Sequence, residues 1–181
     1  MLKAFAQRTR RALVRFGRAR SGVAAIEFGL LAIPFFMLTV GLAEVGMIGL
    51  AQASLDDGIS MTSRNIRVGV VQSGGLTYAQ VQDQLCERFS MFIAADCEDN
   101  LFLDVDTFES FVDIDNTSPI AGGNLNTGGF GFDPGTSSSI VVVRAYYRWR
   151  ILTPGFATLL QNVDGGQRIL SSNIMFRNEP W

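Results

Sequence analysis

Arg18-Ala19-Arg20-Ser21-Gly22-Val23-Ala24-Ala25-Ile26-Glu27-Phe28-Gly29-Leu30-Leu31 is the stretch on which the reading of the whole chain turns. Before it, residues 1–22 carry seven basic side chains and no acid: Lys3, Arg8, Arg10, Arg11, Arg15, Arg18 and Arg20. After it, residues 28–43 are free of charge, Glu44 interrupts, and residues 45–55 are uncharged again. As a helix, residues 28–51 measure about 36 Å at roughly 1.5 Å per residue, and a bilayer's hydrocarbon core is about 30 Å thick. The stretch therefore reads as a membrane span, oriented by the cationic leader through the positive-inside rule. Residues 1–22 are expected in the cytoplasm, 23–53 across the membrane, and 54–181 on its outer side.

Other readings compete. A core helix would not sit beside seven cations. A cleaved signal peptide could end at the small-x-small sequence Ala51-Gln52-Ala53, but the apolar region is too long and holds Glu44. An uncleaved single-pass envelope protein, with a ligand- or partner-binding outer domain, stays open as the alternative.

The junction carries a sharper signal. A glycine, Gly22, closes the basic leader, and a lone glutamate, Glu27, stands five residues later at the head of the apolar helix, followed by the aromatic Phe28. A carboxylate at mid-membrane costs about 2.5–3.5 kcal/mol even on the lenient insertion scale. Near the helix start it costs less and complements the positive N-terminal end of the helix dipole.

This constellation resembles the processing site of type IV prepilins, and in detail that of the Tad (Flp-type) pilus system. The run Ala25-Ile26-Glu27-Phe28-Gly29-Leu30-Leu31-Ala32-Ile33-Pro34 is similar to the opening of TadE-like proteins, minor pilins or pseudopilins of that system. So is Gly41-Leu42-Ala43-Glu44-Val45-Gly46, where the family has a second glutamate. Ala53-Ser54-Leu55-Asp56-Asp57 and residues 64–69 resemble its continuation, and Phe176-Arg177-Asn178-Glu179-Pro180-Trp181 its ending. The chain departs at Gly46-Met47, where many members have a basic residue, and at Gly58, where alanine is usual.

The resemblance implies cleavage between Gly22 and Val23 by a prepilin peptidase. It also implies pairing of Glu27 with a neighbour's new terminal amine, and helix contacts through Phe28 and Glu44. Companion pseudopilins, the Tad machinery and inner-membrane lipid would be the partners, in assembling pili for surface attachment. A carboxylate and an ammonium are each costly in lipid, so such a pair favours one axial register between subunits. Glu44 reads equally well as a carboxylate snorkelling to the outer interface.

Beyond the span, Leu55, Ile59, Thr62, Ile66 and Val70 recur at spacings of three and four, so the helix is expected to continue with one apolar face. Gly74-Gly75 breaks it. Thr77 and Gln80 form a capping box ahead of a second amphipathic helix over 78–93, striped by Val81, Leu85, Phe89, Phe92 and Ile93. Cys86 and Cys97 fall on the oxidising side, where a disulfide is expected, with reduced buried thiols the alternative. Eleven residues of unbroken helix would hold their Cα atoms about 16 Å apart, and a disulfide tolerates about 7 Å. The helix must then end near Ile93 and the chain fold back.

Leu101, Leu103 and Val105 alternate with Asp104 and Asp106, then the parity shifts, which predicts a bulge or break near Thr107. Residues 116–139, rich in Gly, Asn, Ser and Thr, read as a long mobile loop. Residues 140–152 are the strongest strand, with Arg144, Arg148 and Arg150 on the face opposite Val141, Val143, Ala145, Tyr147, Trp149 and Ile151. Leu170, Ile174 and Phe176 mark a last strand. The expected architecture is α+β: helices on one face of a small, mostly antiparallel sheet.

The composition excludes much chemistry. The 181 residues contain no histidine, which removes the commonest acid–base group and zinc ligand. The net charge of −2 gives no basic excess for nucleic acid. It is the sum of +7 over residues 1–22 and −9 over the rest. Asp113-Ile114-Asp115-Asn116 lacks the glycine and closing glutamate of a calcium loop. The three strand arginines are expected to pair with Asp104 and Asp106 rather than bind a polyanion. No cofactor, metal or enzymatic activity is expected.

Overall fold

The computed structural model describes residues 21–89, 97–115, 117–153 and 155–181. The basic leader through Arg20, and Phe92 and Ile93 of the expected second helix, lie outside the described residues. In chain order the elements are α1 (Ser21–Arg67), α2 (Val70–Gly74), α3 (Tyr78–Phe89), α4 (Cys97–Asn100), β1 (Leu101–Phe108), a 3-10 turn (Phe111–Asp113), β2 (Ile120–Ala121), β3 (Asn124–Leu125), β4 (Ile140–Arg150), α5 (Ala157–Leu160) and β5 (Gln167–Arg177). The chain divides into two compact units, one ending at Leu42 and one spanning Ala43–Trp181.

The described part of the first unit is helix alone. It is long and apolar enough to cross a membrane, and its large side chains are bare, with Phe28 71% and Leu31 72% exposed. α1 runs through Pro34 without ending.

The second unit is the expected α+β domain. β1, β4 and β5 form an antiparallel sheet in the order β1-β4-β5. Successive residues of a strand point to opposite faces, so Leu101, Leu103 and Val105 share one face with Val141, Val143, Ala145, Tyr147 and Trp149. That face is buried with Ala51, Leu55, Ile59 and Ile66 of α1 and Val81 and Leu85 of α3 in a single core. Each such aliphatic side chain contributes about 1.5–3 kcal/mol by leaving water, so packing more than propensity holds this half of α1 helical. At Gly58 a Cβ would stand within 2.3 Å of Leu85 Cδ1. The alanine usual in the resembled family would crowd α3 here.

Two expectations are corrected. α1 ends at Arg67, not beyond Val70: Gly69 turns left-handed at φ 80°, leaving Val70 exposed and burying Val71 instead. Of the bulge or break expected near Thr107, the structure has the break: β1 ends at Phe108, and its register with β4 is unbroken from Leu101↔Tyr147 to Phe108↔Ile140. The parity shift reflects the 3-10 turn that follows, where side chains leave the strand's alternation.

The stretch read as a mobile loop is instead tied down. Ile120 pairs with Leu125 and Ala121 with Asn124. Farther on, Val105 N–H donates to Gly131 O at 2.9 Å and Asp133 N–H to Val105 O at 2.7 Å. The chain thus runs along the free edge of β1 and satisfies backbone groups that an open edge would leave bare. Phe130 stacks on Tyr146 at 5.2 Å between centroids, and Phe132 meets Tyr78 edge-on at 6.0 Å. Glycine abundance signals turns, but it does not report the backbone pairing that fixes them.

The second helix is described to Phe89, short of the expected 93, and the capping box is present. Thr77 N–H donates to Gln80 Oε1 at 2.9 Å and Gln80 N–H to Thr77 Oγ1 at 3.4 Å.

Candidate functional site

Gly22, Val23, Glu27 and Phe28 lie in the first turns of α1, all exposed. A Cβ on Gly22 would meet nothing within 4 Å. Nothing in the local packing therefore demands a glycine there. Among the described residues Glu27 makes no ion pair. The structure leaves this segment accessible along its length.

Glu44 is used differently. Its side chain is only 1% exposed, and its carboxylate accepts two backbone hydrogen bonds, from Leu152 N–H at 2.6 Å and Thr153 N–H at 2.7 Å. Among the described residues the Trp149 indole N–H makes no well-formed hydrogen bond. It lies near enough to act on the same carboxylate, as does the Thr153 hydroxyl. To the two uses weighed from sequence, snorkelling and contact with a neighbouring helix, the structure adds a third: Glu44 closes the turn after β4 of its own domain. Backbone donors of a turn leave no mark in a sequence, so nothing in the sequence signalled the arrangement.

Cys86 and Cys97 form the expected disulfide, with Cα atoms 5.8 Å apart. α3 is described to Phe89 and α4 begins at Cys97, so the two sulfurs come from separate helices, as helix geometry requires. Both cysteines are buried in the main core.

On the outer face of the sheet, Arg144 Nη1 donates to Asp104 Oδ2 at 2.9 Å and Asp106 Oδ2 at 3.4 Å, and Nη2 to Asp115 O at 2.8 Å. Asp104 and Arg144 are cross-strand partners in the β1–β4 register, so the pairing expected from sequence holds for this arginine. Arg148 instead lies over the Phe102 ring at 5.1 Å, and Arg150 is exposed. Burial, and then the neighbouring Asp104 charge, hold the Asp106 carboxyl above its ordinary range despite Arg144. Asp115 is held below it by hydrogen bonds from Thr117. A groove of about 440 Å³ opens here, lined among others by Asp106, Asp115, Phe130, Arg144 and Tyr146. Its guanidinium is already occupied by protein acceptors, so the groove offers no unpaired cation to an anionic ligand. Of the acidic run read against a calcium loop, Asn116 lies outside the described residues, and Asp115 Oδ1 accepts from Thr117 N–H at 2.8 Å.

The C-terminus was noted in the sequence only by resemblance, and the structure supplies its physical role. Glu179 N–H donates to Arg67 O at 2.9 Å, and Arg67 pairs with the Glu179 carboxylate at 3.3 Å. One of the last carbonyls of α1, which has no partner within the helix, is thereby satisfied. Buried Asn178 donates to Pro134 O at 3.0 Å and Thr136 O at 2.9 Å. A Cβ on Gly69 would fall within 2.7 Å of Trp181 Cδ2. This is a close approach as well as a left-handed turn, and glycine meets both demands.

No curated protein and no solved structure matches the chain significantly. Residues 22–64 match the family model described as TadE-like protein. That segment begins at Gly22 and takes in the bare apolar half of α1, Glu44 and most of the packed half. Over it the chain is similar to the family its junction resembles.

Proposed function

We propose that the chain is a membrane-anchored TadE-like minor pilin, cut by a prepilin peptidase after Gly22 and acting in the assembly of Tad pili for surface attachment. The observation that carries this reading is the family match starting at Gly22, on a helix whose first half is bare and apolar. In this reading the basic leader holds residues 1–22 in the cytoplasm and the α+β domain faces the periplasm. Glu27 then becomes the fifth residue of the mature chain and neutralises the terminal amine of a companion pseudopilin. Phe28 packs beside it. Glu44 serves the subunit's own domain first, because its carboxylate is already bonded internally. The burial pattern supports a bilayer segment ending near Ala43 rather than at residue 53, since Ala51 is fully buried in the domain core.

The test is the mature N-terminus in the native host, by intact mass or N-terminal sequencing. Val23 at the terminus supports processing. Met1 identifies an uncleaved anchor, and Ser54 a secreted domain released from its signal peptide. The substitution Gly22→Leu is expected to accumulate full-length protein; normal shortening of that variant would exclude a prepilin peptidase.

A further inference from the structure

Residues 151–163 contain no charged side chain, and yet Leu152 and Leu159 are 66% and 76% exposed. The segment is held in place from several sides. Thr153 O accepts from Phe156 N–H at 3.3 Å, Leu160 O from Arg168 Nη1 at 2.8 Å, and Gln161 Oε1 from Gly166 N–H at 3.1 Å. Two leucines bared on an ordered, uncharged loop cost solubility unless something apolar covers them.

The loop's position says what covers it. Leu152 N–H is bonded to Glu44, and Glu44 lies in the first turn of the helical segment of the C-terminal unit, which starts at Ala43. Leu152 and Thr153 are therefore held beside the first residues of that unit, and Leu159 follows six residues after Thr153. Arg150, exposed immediately before the run, places a cation beside it. Another bared apolar pair, Phe111 and Val112, is flanked by Glu109 and Asp113, acids that an anionic headgroup layer repels.

We propose that the exposed Leu152 and Leu159 dock on the outer-leaflet interface of the bilayer that α1 crosses. Leu152 and Leu159 insert at the boundary between headgroups and acyl chains, with Arg150 at the level of the phosphates. The inference rests on the membrane-anchored reading of α1. Apolar side chains in this position typically sink about 5–10 Å below the headgroup surface. Docking of this kind would fix the domain's height and tilt over the membrane before assembly.

The test uses the full-length chain, disulfide intact, in vesicles of phosphatidylcholine and phosphatidylglycerol. Single cysteines carrying the environment-sensitive fluorophore NBD are placed at Leu31, Leu159 and Val112 in separate samples, and nitroxides are placed near the headgroup or deep in the acyl chains. Leu31→Cys reports on the span, Leu159→Cys on the loop, and Val112→Cys on an exposed apolar site expected to stay in water. The expected result is strong quenching at Leu31, quenching at Leu159 several-fold above that at Val112, and greater effect of the shallow nitroxide at Leu159. Quenching at Leu31 with a water-like Leu159 overturns the docking proposal and leaves the membrane anchor standing. No quenching at Leu31 overturns both. A Leu159 probe in an apolar environment that lipid nitroxides do not quench, and that becomes water-like on dilution in lipid, would assign the patch to a second copy of the chain and also overturn the proposal. Adding Leu152→Ser to the Leu159→Cys sample is expected to lower its quenching. Unchanged quenching would remove Leu152 from the docking surface.

Discussion

Glu44 and Thr153 are 109 positions apart in sequence and joined by a 2.7 Å hydrogen bond, from the Thr153 backbone N–H to the Glu44 carboxylate. With the parallel bond from Leu152, it fastens the helix, where it enters the domain, to the turn after the central strand. A hydrogen bond to a charged group contributes about 1.5–3 kcal/mol, and the loss is larger when its partner is left buried and unsatisfied. Glu44→Gln, which keeps one acceptor, is expected to lower domain stability by about 1–3 kcal/mol, and Glu44→Ala by more. Thermal unfolding in detergent or nanodiscs measures this; an unchanged Tm for Glu44→Ala would mean the turn does not depend on the carboxylate.

The disulfide closes a short loop between two helices of the core. Closure of such a loop restricts the unfolded chain by roughly 3 kcal/mol in the entropy model. The double substitution Cys86→Ser/Cys97→Ser is expected to shift the urea midpoint down by that order. Reduction of the unsubstituted protein should reproduce the shift, because the bridge, more than the residue types, carries the effect.

The pair Asp104 and Asp106 separates two kinds of carboxylate. Asp104 makes the shorter, more buried bond to Arg144, so Asp104→Asn is expected to cost about 1.5–3 kcal/mol. Asp106 has its carboxyl raised by burial and by Asp104, so the folded state binds its proton at a higher pH than the unfolded chain does. Its ionisation at neutral pH therefore disfavours folding, and that penalty is relieved as pH falls through its raised value toward the ordinary aspartate range. Asp106→Asn is expected to be neutral or mildly stabilising at pH 7 and to flatten the stability profile in that acidic window. A clear loss of stability at pH 7 would show that its bond to Arg144 outweighs its burial.

Gly58 faces Leu85 across the contact between α1 and α3. Gly58→Val is expected to destabilise by about 1–3 kcal/mol through overpacking, and Leu85→Ala in the same chain to recover part of it. Additive losses in the double variant, measured by chemical denaturation, would mean that the two side chains do not compete for one space.

Asn178 donates to two carbonyls from a buried position. Replacement by alanine leaves both acceptors without that donor, an expected loss of about 1–3 kcal/mol. Asn178→Asp, isosteric but anionic, is expected to cost more, since a carboxylate facing two carbonyl oxygens is repelled where an amide N–H was attracted. Equal Tm values for the two variants would show that the carbonyls turn to water instead.

Much of the molecule could be read from local pattern. Charge asymmetry and an uninterrupted apolar run mark the span because a bilayer selects on composition and length. The heptad-like spacing of Leu55, Ile59 and Ile66 and the alternation from Val141 to Trp149 mark buried faces because helix and strand have fixed periods. Thr77 and Gln80 mark a helix start for a similarly local reason. The disulfide, too, followed from two cysteines on the side that the topology makes oxidising, and the rise of a helix then required the chain to fold back between them. None of these inferences needs to know what lies across the fold.

What local pattern could not supply were relationships between backbone groups distant in sequence. The glycine-rich stretch looked mobile because its order comes from hydrogen bonds to the edge of β1, which no residue type announces. The end of α1 at Arg67 rather than beyond Val70 depends on Gly69 turning beneath Trp181 and on Glu179 meeting a helix carbonyl. Glu44 looked like a membrane-edge carboxylate until the turn after β4 supplied two N–H donors. Composition and periodicity thus pointed to a membrane-spanning helix and an α+β domain. Which polar groups are satisfied inside that domain, and so which remain free for partners, depended on chain segments brought together only by folding.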